Sequence, residues 1–119
     1  MSIFVSVASY RDTHLKMTLK SAVENAKYPE ELKFGIINQD IPRNQIDLSF
    51  LSNYSLISMH PKFAKGVGLA RSKAMSLYGD ETYYCQIDSH TQFAKDWDIN
   101  SIKQLKLAEQ KTNNKIYTI

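Results

Sequence analysis

Short apolar runs alternate with stretches of helical periodicity along this chain, and that alternation leaves few folds open to its 119 residues. Ile3-Phe4-Val5-Ser6-Val7-Ala8-Ser9 is β-branched and aromatic with small residues at its end, and reads as a strand that starts almost at residue 1. The polar run Ser9-Tyr10-Arg11-Asp12 follows. Asp12 or Thr13 can then cap a helix whose apolar stripe, Leu15, Leu19, Ala22, Val23 and Ala26, keeps helical spacing until Pro29 stops it. Leu32 to Asn38 is the second strand. A β-α-β opening of this kind predicts two parallel strands joined by a right-handed crossover.

Gln39-Asp40-Ile41-Pro42-Arg43-Asn44 is a turn by its proline and amides, and Ile46 to Tyr54 is either irregular or a short helix. Leu56 to Met59 is a third strand before Pro61. Lys65-Gly66-Val67-Gly68 opens a second helix with Val67, Ala70, Ala74, Leu77 and Tyr78 on its inner face and Gly79 as its stop. A third helix, from about Asp98 to Lys111, turns Ile99, Ile102, Leu105 and Ala108 to one side, and Lys115 to Ile119 has the pattern of one more strand. The expectation is a single α/β domain over residues 1–119, three layers thick, Rossmann-like, with a mostly parallel sheet. Ending inside a strand pattern predicts half of a larger fold, or a fold completed by pairing with a second chain such as another copy.

Between the second and third helices stands Tyr83-Tyr84-Cys85-Gln86-Ile87-Asp88-Ser89-His90. Its mostly apolar or aromatic start suits a strand covered on both faces, and the strand then pushes an aspartate and a histidine out of its carboxyl end. Ligands of open α/β sheets bind outside such ends. Asp88 and His90 are two residues apart, so in an extended backbone they point to the same side and could share one cation. A carboxylate with an imidazole suits Mn²⁺, Zn²⁺ or a similar divalent ion better than Ca²⁺. The same spacing also fits a solvated turn. The net charge of +3 suits an anionic ligand such as a nucleotide diphosphate, whereas lysines scattered without a basic block make a poor nucleic-acid footprint. Cys85 is the only cysteine, which excludes an intramolecular disulfide and multi-cysteine metal frameworks. Neither a basic segment leading into a long apolar run nor a membrane-length apolar window is visible, which predicts a soluble chain with no membrane partner.

Several blocks in order carry a resemblance: Ile3 to Asp12, Phe34-Gly35-Ile36-Ile37-Asn38-Gln39, Gly66-Val67-Gly68-Leu69-Ala70-Arg71, Tyr84 to His90, and Trp97-Asp98. Together they resemble successive blocks of a GlcNAc-transferase family that includes cytoplasmic hydroxyproline GlcNAc-transferases, and they span nearly all of the chain. The resemblance implies a GT-A fold, a UDP-sugar donor such as UDP-GlcNAc, a divalent metal (Mn²⁺, or Mg²⁺ in its place), a protein or glycan hydroxyl as acceptor, and a cytoplasmic location. It also implies an acceptor-binding half beyond Ile119. The alternative is a truncated, non-catalytic nucleotide-sugar-binding or assembly module that needs a partner chain.

By the same resemblance the first strand lies beside the Asp-Ser-His strand, and UDP lies between their ends. Ser9, Tyr10 and Arg11 would contact the uridine, with Tyr10 able to stack on the base or merely to cover the following helix. Arg11 and Asp12 could instead pair with each other at the surface. Asp40 would accept from the uracil N3–H, or serve only as a turn residue. Arg71, early in its helix, would help hold the nucleotide or remain solvated. Asp88 and His90 fill a metal motif of the DxD kind, with Asp88 on the metal or the ribose hydroxyl. His14 and His60 fall outside any resembling block and are expected to be ordinary surface residues.

Overall fold

The computed structural model describes residues 2–41, 47–63 and 66–119. The β-branched run near the amino terminus is the central strand, β1 (Ile3–Tyr10), buried along almost its whole length. Helix α1 (Leu15–Asn25) leads to β2 (Leu32–Gln39), which pairs with β1 in parallel from Ile3↔Leu32 to Tyr10↔Gln39. Strand β3 (Tyr54–Met59) adds outside β2, helix α2 (Val67–Met75) crosses back, and β4 (Tyr83–Asp88) docks on the other side of β1. The order among these strands is β3-β2-β1-β4, all parallel. Helix α3 (Trp97–Thr112) follows.

The chain thus steps one way across the sheet through β2 and β3, then reverses to β4. Right-handed crossovers in opposite directions put their helices on opposite faces. One face accordingly gathers Ile3, Val5 and Val7 of β1 with Leu15 and Leu19 of α1 and Trp97 and Ile102 of α3. The other gathers Ile37 of β2 with Ala70 and Ala74 of α2. The result is the expected three-layer, Rossmann-like α/β arrangement. No helix among the described residues is long and apolar enough to cross a membrane.

Several expectations are corrected. Strand β4 is not covered on both faces along its length: Cys85 is buried and Tyr84 is half-buried against Tyr78, but Gln86 and Asp88 are exposed, because α2 packs over β1 and β2 and does not extend over the end of β4. Helix α1 begins after His14, without a side-chain cap, and ends at Asn25, so neither Asp12 nor Thr13 caps it and Pro29 instead opens a short 3₁₀ turn. Helix α2 ends at Met75, ahead of Gly79, and Leu77 and Tyr78 pack from the turns beyond it; the Val67 side chain lies outside the described residues. Residues 47–53 are irregular, with Leu48 and Leu51 buried in the core; Pro42, Arg43, Asn44 and Ile46 lie outside the described residues. The fifth strand reduces to one parallel bridge, Tyr84↔Thr118.

Candidate functional site

The strand order reverses between β1 and β4, the switch point at which open α/β sheets place their ligands, outside the carboxyl ends of the strands. Strand β1 hands its end to Tyr10, whose ring is 56% exposed, and to Arg11, whose φ of +48° is rare for a residue with a side chain. The Arg11 N–H donates to the Gln39 carbonyl at 3.0 Å, which fixes that turn against the end of β2. A cleft of about 400 Å³ opens here, lined by Ala8, Ser9, Tyr10, Gln39, Gly66 and Ala70. Ser9 is buried, and its hydroxyl has no partner among the described residues. Gly66 enters α2 at φ +97°, which only glycine adopts without strain, and so brings the helix N-terminus to the cleft. A Cβ on Gly68 would meet nothing within 4 Å among the described residues.

Asp88 and His90 take up different partners. Strand β4 stops at Asp88, so the side-to-side alternation of a strand does not reach His90, which lies in the following turn. Arg71 of α2 donates from Nη2 to Asp88 Oδ1 at 3.1 Å, with both side chains partly exposed. This is the one ion pair between the α2 block and the strand end among the described residues.

His90 turns to Asp12 instead. Ser89 donates its hydroxyl to Asp12 Oδ2 at 2.6 Å, and His90 Nδ1 lies 3.2 Å from the same oxygen. Asp12 Oδ1 accepts the His14 backbone N–H at 2.8 Å and lies 3.2 Å from His14 Nδ1. Burial alone would raise the Asp12 pKa, but the bonds from Ser89, the His14 N–H and the two imidazoles outweigh it and hold the carboxyl at about 2. Asp12 therefore does not pair with Arg11, and His14, although exposed, belongs to this cluster. His60 fits its expectation as an exposed residue, accepting the Lys62 N–H within its own turn.

Helix α1 builds the turn that carries His90. Thr18 is buried; its hydroxyl donates to the Ser89 carbonyl at 2.8 Å and accepts the Thr91 N–H at 3.0 Å, gripping the backbone on both sides of His90. One turn on, Ser21 Oγ accepts the Phe93 N–H, and the Asn25 carbonyl accepts the Asp96 N–H. Thr18, Ser21 and Asn25 recur at helical spacing, a polar stripe beside the apolar one that sequence reasoning passed over. Beyond His90 a second cleft of about 700 Å³ opens between this stripe and the loop, with His14, Met17, Gln92 and Phe93 on its walls.

The remaining candidates divide. Asp40 is half-buried at the end of β2 and accepts the Ile41 N–H with its own carboxylate; it does not line the cleft that Gln39 lines. Cys85 is buried, which pushes its thiol up to about 11 and makes it a core residue. No group of three His, Cys, Asp or Glu side chains among the described residues is arranged to hold a metal ion. Two donors remain: Asp88 Oδ2, left out of the Arg71 pair, and His90 Nε2, left by the contact on Nδ1. One is a carboxylate oxygen and the other an imidazole nitrogen, donor types that ions of the Mn²⁺ or Zn²⁺ kind accept.

Among curated proteins none matches the chain. The family described as Glycosyltransferase (GlcNAc) does, over residues 2–55 and 42–116, a span that includes both strand ends of the crevice and the two helices that hold them. With a matching fold beneath that span, the chain belongs to the GlcNAc glycosyltransferase family.

Proposed function

We propose that the crevice between β1 and β4 binds a UDP-sugar, UDP-GlcNAc in view of the family, together with a divalent cation at Asp88 and His90, for transfer of the sugar to a hydroxyl of a protein or glycan. The observation that carries this reading is that Tyr10 and Asp88 stand at the carboxyl ends of the adjacent parallel strands β1 and β4, the switch point of the sheet, with a cleft of about 400 Å³ at the end of β1; Arg11 and His90 follow those ends, and His90 borders the second cleft. Tyr10 offers an exposed ring to stack on the base. Ser9 brings a buried hydroxyl without a partner among the described residues. The N-terminus of α2 at Gly66 borders the same cleft, so its unpaired N–H groups and positive dipole end favour a diphosphate there. Arg71, now paired with Asp88, has a second anion within its reach once a diphosphate arrives. Asp40 remains the candidate acceptor for the uracil N3–H.

A cation bound there, Mn²⁺ or Mg²⁺, would neutralise charge developing on the UDP leaving group. The protein's own contribution is to hold the base, the diphosphate and the cation ligands in one place. Calorimetry with UDP, with and without Mn²⁺, tests the reading. UDP binding that depends on Mn²⁺ and is lost in His90→Ala is expected; equal affinity after chelation of the metal would overturn the assignment of Asp88 and His90. Incubation with UDP-GlcNAc and detection of released UDP separates a transferase from a domain that binds the donor without cleaving it.

A further inference from the structure

We infer that Asp12 is a positioning residue for His90, fixing the imidazole as its Nδ1–H tautomer and presenting Nε2 to the cation. The inference rests on the reading of His90 as a metal ligand. A carboxylate in its ionised form can only accept, so at 3.2 Å it selects the proton on Nδ1 of a neutral ring and leaves the lone pair on Nε2. The neutral ring of a histidine side chain free in water favours the opposite tautomer, with the proton on Nε2. The neighbouring carboxylate therefore reverses an intrinsic preference in the direction that a metal ligand needs, and adds negative charge behind the ring, which strengthens its donor nitrogen.

Asp12 is built to do this and not to follow the ring. Its side chain is 17% exposed against 67% for His90, so the better-buried partner orients the more exposed one. The Ser89 hydroxyl holds the same carboxylate oxygen at 2.6 Å, and the His14 N–H holds the other at 2.8 Å. The backbone on either side of His90 is clamped by Thr18. With backbone and Nδ1 both fixed, little freedom remains for the ring. His14 is no substitute, since its ring contact with Asp12 is made within the same turn, two residues away, and leaves His90 without a partner if Asp12 is removed.

Two measurements on the full chain test this. Long-range proton–nitrogen correlation spectra of the metal-free protein, recorded in alkaline buffer, report the tautomer of each of the three histidines, with His90 assigned by comparison with His90→Ala. The Nδ1–H form is expected for His90, and the Nε2–H form in the wild type would overturn the inference without any variant being needed. Titration with Mn²⁺ alone, followed by the resonance signal of the free ion, is expected to show affinity weaker by about 10- to 100-fold in Asp12→Ala. Asp12→Asn, which keeps an acceptor but no charge, is expected to fall between and replaces the alanine variant if that does not fold. If His90→Ala loses Mn²⁺ while the Asp12 variants bind as the wild type does, Asp12 has no such role and the metal assignment stands. If His90→Ala binds Mn²⁺ unchanged, the metal assignment falls and this inference with it.

Discussion

Removing the Asp98 carboxylate should cost more stability than any exposed residue of the crevice, because its work is to join two helices. Asp98 is 0% exposed, and its two oxygens accept the backbone N–H groups of Lys27 and Tyr28, each at 2.9 Å. Its neighbour Trp97 donates from Nε1 to the Ala22 carbonyl at 2.8 Å. The Trp97-Asp98 pair thus ties the start of α3 to the end of α1, and the carboxylate also lies in the first turn of α3, where the helix dipole favours it. A hydrogen bond to a charged group is worth about 1.5–3 kcal/mol, so Asp98→Ala, which leaves two N–H groups without their acceptor, should cost about 4 kcal/mol. Asp98→Asn keeps one acceptor and sets an NH₂ against the other donor, for a cost of about 2 kcal/mol. At roughly 4 °C per kcal/mol for a domain of this size, the alanine variant should melt about 15 °C lower. Urea titration read by fluorescence of Trp97, the only tryptophan, measures both. Folded Asp98→Asn should still bind UDP with Mn²⁺. A loss below about 1 kcal/mol in Asp98→Ala, where breaking buried charged contacts is expected to cost several times more, would refute the structural role, as would lost UDP binding at unchanged stability.

Gly35→Ala would place a Cβ 2.3 Å from Phe4 Cζ, on a fully buried ring already packed against Tyr78 and Tyr84, so a loss of about 2–3 kcal/mol is expected in urea titration, partly recovered by adding Phe4→Leu. Gly68→Ala meets no atom of the described residues and should raise helix stability slightly, by about 0.5 kcal/mol, yet weaken UDP binding in calorimetry if the diphosphate lies against this turn; unchanged UDP affinity would remove α2 from the site. Asp12, with its folded pKa lowered from 3.8 to about 2, contributes stability that is present above pH 3.8 and is lost as the pH falls towards 2. After solvent screening that contribution is about 1 kcal/mol, so Asp12→Asn should flatten the acid limb of the stability profile by about that much. Cys85, buried and raised to about 11, should resist alkylation at neutral pH until the protein unfolds.

Most strands and helices were legible because they are written in local spacing: β2 runs from Leu32 as its apolar run does, and α3 covers Trp97–Thr112 against an expected Asp98 to Lys111, whereas the expected strand over Lys115 to Ile119 comes down to one bridge. Failures came where a property depends on a neighbour. Apolarity in Tyr83 to Ile87 predicted burial on both faces, yet which face is covered depends on where α2 lies, and α2 lies over β1 and β2. Asp12 shows the same limit more sharply. Its local options were a helix cap or a pair with Arg11, and it took neither, because Ser89 and His90, 77 and 78 residues away, arrive beside it once β4 docks on β1. The docking follows from strand order, which periodicity does not contain. Thr18 makes the point from the other side: a threonine on the inner face of α1 reads as a tolerated polar residue, but burial without a partner would be costly, and that cost is itself a sign that a distant loop must come to meet it. The buried hydroxyl of Thr18, with Ser21 Oγ one turn on, therefore held the information that some backbone lies along α1, though not that it is the backbone on either side of His90.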